Sequence, residues 1–193
     1  MLINSNMMNE VKITPNALTR EQCAQIIANA KEYERDYLKR DLVEQSEFYD
    51  KETLDKNTVE IPLDKSYSKR KVSQSPIEDP IFPEWDGHPV YRCKVMKYEE
   101  GDFIYEHHDA QWMCLSNYWK PGTNKISQSL ISIALNDDFE GGEFTVEGEV
   151  IPQEVGTAIT IPQHALDHNK SLKHGVNKVT KGTRYALVFW NFA

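Results

Sequence analysis

The second half of this chain is written in short runs of β-branched and aromatic residues. Leu130 to Leu135, Phe144 to Val146, Val150 to Ile151, Thr157 to Ile161 and Tyr185 to Phe189 are apolar stretches of strand length, separated by Gly141-Gly142, Pro152-x-x-x-Gly156 and Lys181-Gly182-Thr183. Several short strands with turn signals between them predict a sandwich or barrel. Residues 174 to 190 read as two antiparallel strands joined by a turn near Gly182, which would bring His174 and Arg184 together. Near the start of the chain the period changes. Thr19 with Gln22 forms a capping-box signal, and Cys23, Ile26, Ile27 and Ala30 recur at helical spacing. They predict an amphipathic helix from about Arg20 to Tyr37, packed on the outside of the sheet. From Asp41 to Pro89 the chain is charged and broken by Pro76, Pro80 and Pro83, so any helix there is short.

The chemistry lies in polar residues set on this frame. The run Tyr98-Glu-Glu-Gly101-Asp-Phe103-Ile-Tyr105-Glu-His107-His108-Asp109 is β-prone after its glycine. Residues two apart in a strand share a face, so His107 pairs with Asp109 while His108 points the other way. With His174 they make two imidazoles and a carboxylate, a facial set that leaves coordination positions open and is associated with non-haem Fe(II) oxygenases. His-x-Asp alone is weak, since a hydrogen-bonded surface pair is its commoner meaning. Arg184 has a planar fork that grips a carboxylate bidentately, as lysine cannot, although a lone arginine more often makes a surface salt bridge. His164 and His168 would share a face on a helix, as zinc ligands do, but they follow Pro162 in a polar stretch that reads as a loop. His168 is the reserve ligand should His174 not serve, and His88 has no recognisable partner. Trp112, Tyr118 and Trp119 follow Asp109 in an aromatic segment that either lines the rim of the pocket, touching substrate, or fills core space.

Taken in order, these residues resemble the Fe(II)/2-oxoglutarate dioxygenase superfamily, and within it the prolyl 4-hydroxylase-like group. The likeness runs from Tyr98-x-x-Gly101 and His107-x-Asp109 through Leu135-Asn-Asp-Asp-Phe139-Glu-Gly141-Gly142-Glu143 and Gly156-Thr-Ala-Ile-Thr-Ile-Pro162. It continues in His174-Gly-Val176, Val179 and Gly182-Thr-Arg184, ending in an aromatic strand to Trp190. The resemblance implies a mainly β fold with flanking α, a double-stranded β-helix (jelly roll) with the N-terminal helix outside. It implies Fe(II) held by His107, Asp109 and His174, and 2-oxoglutarate held at its C5 carboxylate by Arg184 with Tyr98 nearby. O2 is the further cosubstrate, and ascorbate is raised as an additional cofactor. The reaction implied is hydroxylation of an unactivated C–H bond, with succinate and CO2 released, and the substrate implied is a prolyl residue of a peptide or protein. Asp109 speaks against a halogenase, in which that position is vacated. One departure is Ala134, where some relatives carry a tyrosine that serves the cosubstrate. The alternatives are a hydroxylase of a free amino acid or other small molecule, and a non-catalytic metal-binding jelly-roll module, which would have no need of Arg184. A zinc hydrolase is weaker still, for want of a general-base glutamate set as in His-Glu-x-x-His.

At 193 residues the chain is long enough for one well-buried domain, with residues 1–90 as helical support and variable segment and 91–193 as the jelly-roll core. The net charge of −8 and pI near 5.3 speak against binding nucleic acid through phosphates, and Lys69-Arg-Lys71 is too short to change that. Cys23, Cys93 and Cys114 show no CxxC spacing, and neither a signal peptide nor a membrane-spanning run is evident. The expected setting is the cytoplasm, with reduced thiols and ferrous iron.

Overall fold

Along residues 130 to 134 the side chains alternate between two buried faces: Leu130 points one way and Ile131 and Ile133 the other, none of these three more than 2% exposed. A strand buried on both sides needs something packed on each face of its sheet. The computed structural model describes residues 10–31, 75–76, 82–107, 127–163 and 171–192. In chain order the strands are β1 (Lys12–Thr14), β2 (Ser75–Pro76), β3 (Glu84–Trp85), β4 (His88–Tyr98), β5 (Ile104–His107), β6 (Ser127–Ala134) and β7 (Glu140–Gly141). They continue as β8 (Phe144–Val146), β9 (Glu149–Val150), β10 (Ala158–Pro162), β11 (His174–Val176), β12 (Val179–Lys181) and β13 (Arg184–Phe192). Helix α1 occupies residues 20–31.

The major sheet has the order β1-β10-β6-β13-β4-β2, with β3 attached to β4, and the minor sheet the order β5-β11-β8-β9. A short β12-β7 ladder forms a third pairing. The inner face of the major sheet, with Met96, Tyr98, Leu130, Ile159 and Ile161, meets Phe144, Val146 and Val176 of the minor sheet in one core. The outer face, with Val95, Ile131, Ile133, Leu187 and Phe189, is covered by Leu18, Cys23 and Ala30 of α1 and its approach. The mainly β jelly roll with an external N-terminal helix is the architecture expected. At the start of α1 the Thr19 backbone N–H donates to the Gln22 side chain at 2.8 Å, and the Gln22 N–H donates back to Thr19 Oγ1 at 3.2 Å. That is the reciprocal capping box, and the helix begins where it directs. The expected continuation of the helix to Tyr37 lies outside the described residues, as do Pro80 and Cys114. Among the described residues, no helix is long and apolar enough to cross a membrane.

One expectation is corrected. Residues 174 to 190 are not a hairpin: β11 pairs with β5 and β8, β12 with β7, and β13 with β4 and β6. The chain therefore crosses from the minor to the major sheet between Val176 and Arg184. Gly182 makes the turn at φ +80°, and a Cβ there would lie 2.9 Å from the Asp138 carbonyl oxygen. The turn is packed against the 138–139 segment instead of forming the tip of a ribbon.

Candidate active site

His107 ends β5 and His174 begins β11, and the two are direct cross-strand partners. Cross-strand partners put their side chains on the same face. Their ring centroids are 4.6 Å apart with planes inclined by 50°. His174 is 6% exposed and shares its face with Val176, so both imidazoles look into the space between the sheets. The residue that allows this is Gly175. A Cβ on it would lie 2.7 Å from the Ile104 carbonyl oxygen and 3.0 Å from the Glu106 nitrogen, so only glycine lets β5 lie this close to β11. From the far side of β5, Glu106 accepts a hydrogen bond from the Gly148 N–H at 2.6 Å, which ties the strand to the β8–β9 turn. Tilted rings at this spacing, on partnered inward positions, fit two ligands of a single ion. Among the described residues no third His, Cys, Asp or Glu joins them. Asp109 lies outside the described residues, as do His108, His164, His168, Trp112, Tyr118 and Trp119.

Arg184 opens β13 on the inner face of the major sheet, opposite Tyr98 in the ladder. Its guanidinium carbon is 5.3 Å from the Tyr98 ring centroid, and the residue is 3% exposed. Burial pushes the guanidinium pKa down from its ordinary value, and Tyr98 opposes this. A guanidinium nonetheless keeps its charge in proteins. Nη2 reaches Gln153 Oε1 at 3.4 Å, whereas Nη1 is buried and has no hydrogen-bond partner among the described residues. A buried cation with an unused donor is a costly arrangement unless an anion completes it. Gly142 leaves room for the arginine stem, since a Cβ there would lie 3.2 Å from Arg184 Cδ and 2.9 Å from a Val179 methyl. Asn136 fixes the start of β13: its carbonyl accepts from the Tyr185 N–H at 2.7 Å and its amide donates to the Thr183 oxygen at 2.7 Å. The turn after Tyr98 is held in turn by Gly101 donating to Val179 O at 2.8 Å and Val179 donating to Asp102 O at 3.0 Å. Ala134 faces Ala186 across the β6–β13 ladder, so that position offers no hydroxyl.

The imidazoles and the arginine sit at different heights in one interior. Gly142 lies over the Arg184 stem, and β8 runs on from there to Val146, the cross-strand partner of His174. The His174 backbone thus lies beside the far end of β8, Phe144–Val146, from the arginine stem. Of the positions singled out in the sequence, His107, His174, Arg184 and Tyr98 thus face a common space. Gln153 was missed, because a glutamine inside turn punctuation carries no periodic or motif signal.

Comparison with known proteins narrows the class to which this fold and its paired histidines belong. Residues 93–192 match the family described as the 2OG-Fe(II) oxygenase superfamily, and the chain belongs to it. A PKHD-type hydroxylase of Pseudoalteromonas atlantica is 30% identical over 105 residues, covering 52% of this chain and 43% of that protein. The chain therefore spans under half the length of that curated relative. Among solved structures, the 2OG complex of the viral collagen prolyl hydroxylase vCPH from Paramecium Bursaria Chlorella virus-1 aligns with a TM-score of 0.52 at 16% identity, covering 95% of this chain and 96% of that one. A Pseudomonas putida prolyl-4-hydroxylase aligns at 0.54 and 11% identity, covering 98% of each. At these identities the two structures share the fold with this chain.

Proposed function

We propose that this protein is an Fe(II)- and 2-oxoglutarate-dependent dioxygenase that hydroxylates an unactivated C–H bond, its substrate a prolyl residue of a peptide or protein. One observation carries the reading: a juxtaposed pair of inward imidazoles and a buried arginine, one of whose donors is unused among the described residues, occupy the same sandwich interior. Membership of the superfamily supports the reaction type. The hydroxylase relative and the fold shared with prolyl hydroxylases support the substrate class.

In this reading His107 and His174, with Asp109, hold the iron. Bound there, it supplies the oxygen chemistry that couples loss of CO2 from the keto acid, leaving succinate, to insertion of oxygen into the substrate C–H bond. Arg184 binds the distal carboxylate of 2-oxoglutarate, and its unused Nη1 gives the anion a directed donor. Tyr98 lies beside the guanidinium in the same wall. Met96, Tyr98, Leu130, Phe144 and Val146 line the interior with apolar surface and exclude water, which strengthens each charged contact. Cys23 and Cys93 are buried, and a reducing, cytoplasmic setting suits ferrous iron. Anaerobic titration with Fe(II) and 2-oxoglutarate, followed by assay of succinate on exposure to oxygen, tests the reading. The expected result is a visible charge-transfer band and succinate from the wild type, both lost in His174→Ala. Metal uptake with neither band nor succinate would refute it and leave a binding module in its place.

A further inference from the structure

The Gln153 side chain is held by three polar contacts. Its amide nitrogen donates to the Ser132 carbonyl at 2.8 Å and to the Thr157 carbonyl at 3.2 Å, and its amide oxygen faces Arg184 Nη2 at 3.4 Å. These contacts leave no ambiguity about which way the amide is turned. The reversed orientation would set an oxygen against two carbonyl oxygens and an NH2 against a guanidinium, so every contact would be repulsive. The backbone of β6 and the β10 approach therefore dictates that a carbonyl dipole meets the arginine. At 3.4 Å that contact is longer than a strong hydrogen bond, so it steers the guanidinium without neutralising it. Among the described residues Nη1 meets no hydrogen-bond partner.

We infer that Gln153 is a positioning residue for the distal carboxylate of the keto-acid cosubstrate: it aims the Arg184 fork and selects for a diacid. This rests on the functional reading above and adds a residue to it. A neutral amide suits the task because a carboxylate at this position would pair with Arg184 permanently and compete with the incoming anion. An apolar group would let the guanidinium swing, and order would have to be restored on each binding event.

The test is calorimetric titration of the Mn(II)-loaded full chain, without oxygen, with 2-oxoglutarate and with 2-oxopentanoate, which lacks the distal carboxylate. Gln153→Leu should weaken 2-oxoglutarate about tenfold, as expected for loss of a hydrogen bond that orders a charged partner, and Gln153→Glu by more. Both should bind 2-oxopentanoate as the wild type does, a pattern that general damage to the pocket would not produce. In turnover the KM for 2-oxoglutarate should rise while kcat holds. Gln153→Met, which keeps the length, replaces the leucine variant should that fail to fold. Wild type that takes up no 2-oxoglutarate overturns the functional reading and this inference together. Wild-type uptake that the variants leave intact overturns this inference alone.

Discussion

Replacing Gly175 by alanine tests how the two imidazoles are brought together. The added methyl would lie 2.7 Å from the Ile104 carbonyl oxygen and 3.0 Å from the Glu106 nitrogen. Both are backbone atoms of β5, which cannot rotate away as a side chain can. Relief to an ordinary contact requires β5 to retreat from β11 by roughly 0.5 Å or more, and overpacking of that kind costs about 1–3 kcal/mol. For a chain of this size the loss corresponds to a fall in Tm of roughly 2–4 °C per kcal/mol. The larger effect should be on metal binding. His107 rides on the displaced strand and His174 on the fixed one, and constellations of this kind tolerate shifts of only about 0.5 Å. The assay pairs thermal melting of the metal-free chain with Fe(II) or Mn(II) titration. Gly175→Ala is expected to lose more than tenfold in metal affinity while remaining folded. A variant with wild-type affinity and Tm would refute the claim that the missing Cβ sets the distance between the rings.

Further expectations concern the arginine, its anchor and a buried thiol. Arg184→Lys keeps the charge but removes the fork, so 2-oxoglutarate affinity should fall about tenfold or more by calorimetry; unchanged affinity would show that the carboxylate is held elsewhere. Asn136→Ala strips partners from the Tyr185 N–H and the Thr183 carbonyl. Denaturant unfolding should show a loss of about 1–3 kcal/mol, and a smaller change would mean that water replaces the amide. Burial raises the Cys23 thiol pKa, since the side chain sits between α1 and the sheet at 0% exposure. A raised native pKa gives a contribution to stability that is present at low pH and lost as pH climbs past the unfolded thiol's value of about 8.5. Wild-type stability should therefore fall relative to Cys23→Ala at alkaline pH, and parallel pH profiles for the two proteins would refute the assignment.

The strands read from the sequence were those whose two faces are both apolar, because a continuous run of β-branched residues is visible without knowing what covers it. Strand β4 escaped notice although it pairs with β13 along most of its length. Its outer Cys93 and Val95 and inner Met96 and Tyr98 alternate with Lys94 and Lys97. Those lysines are accommodated by contacts no sequence pattern announces: Lys94 lies 4.9 Å from the Trp190 ring centroid, and Lys97 pairs with Glu99 at 3.0 Å. Three-residue β1 was too short to register against its neighbours. His107 was legible because spacing within a strand fixes which face a side chain takes, and His174 and Arg184 because their spacing resembles that of the dioxygenase superfamily. Their relation to one another was not, because the partners of β11 and β13 come from distant parts of the chain. The reading of residues 174 to 190 as a hairpin chose the nearest neighbour in sequence, whereas each strand gains more by joining a sheet that already has a buried face. Gln153 belongs to the same class of omission, since its role comes from the carbonyls of Ser132 and Thr157.

The ladder pairs His107–His174 and Arg184–Tyr98 have a practical consequence for altering this protein. Each pair is locked by main-chain registry inside its own sheet, and the gap between the pairs is set by how thickly the two sheets pack. The connections that hold Asn136, Asp109 and Gln153 have to be kept, whereas those that carry none of the groups named above can therefore be lengthened, shortened or exchanged. A library that varies those connections while leaving the ladders untouched should yield catalysts of changed substrate preference and unchanged cosubstrate demand. A substitution at a ladder glycine, by contrast, should silence every member of the library alike.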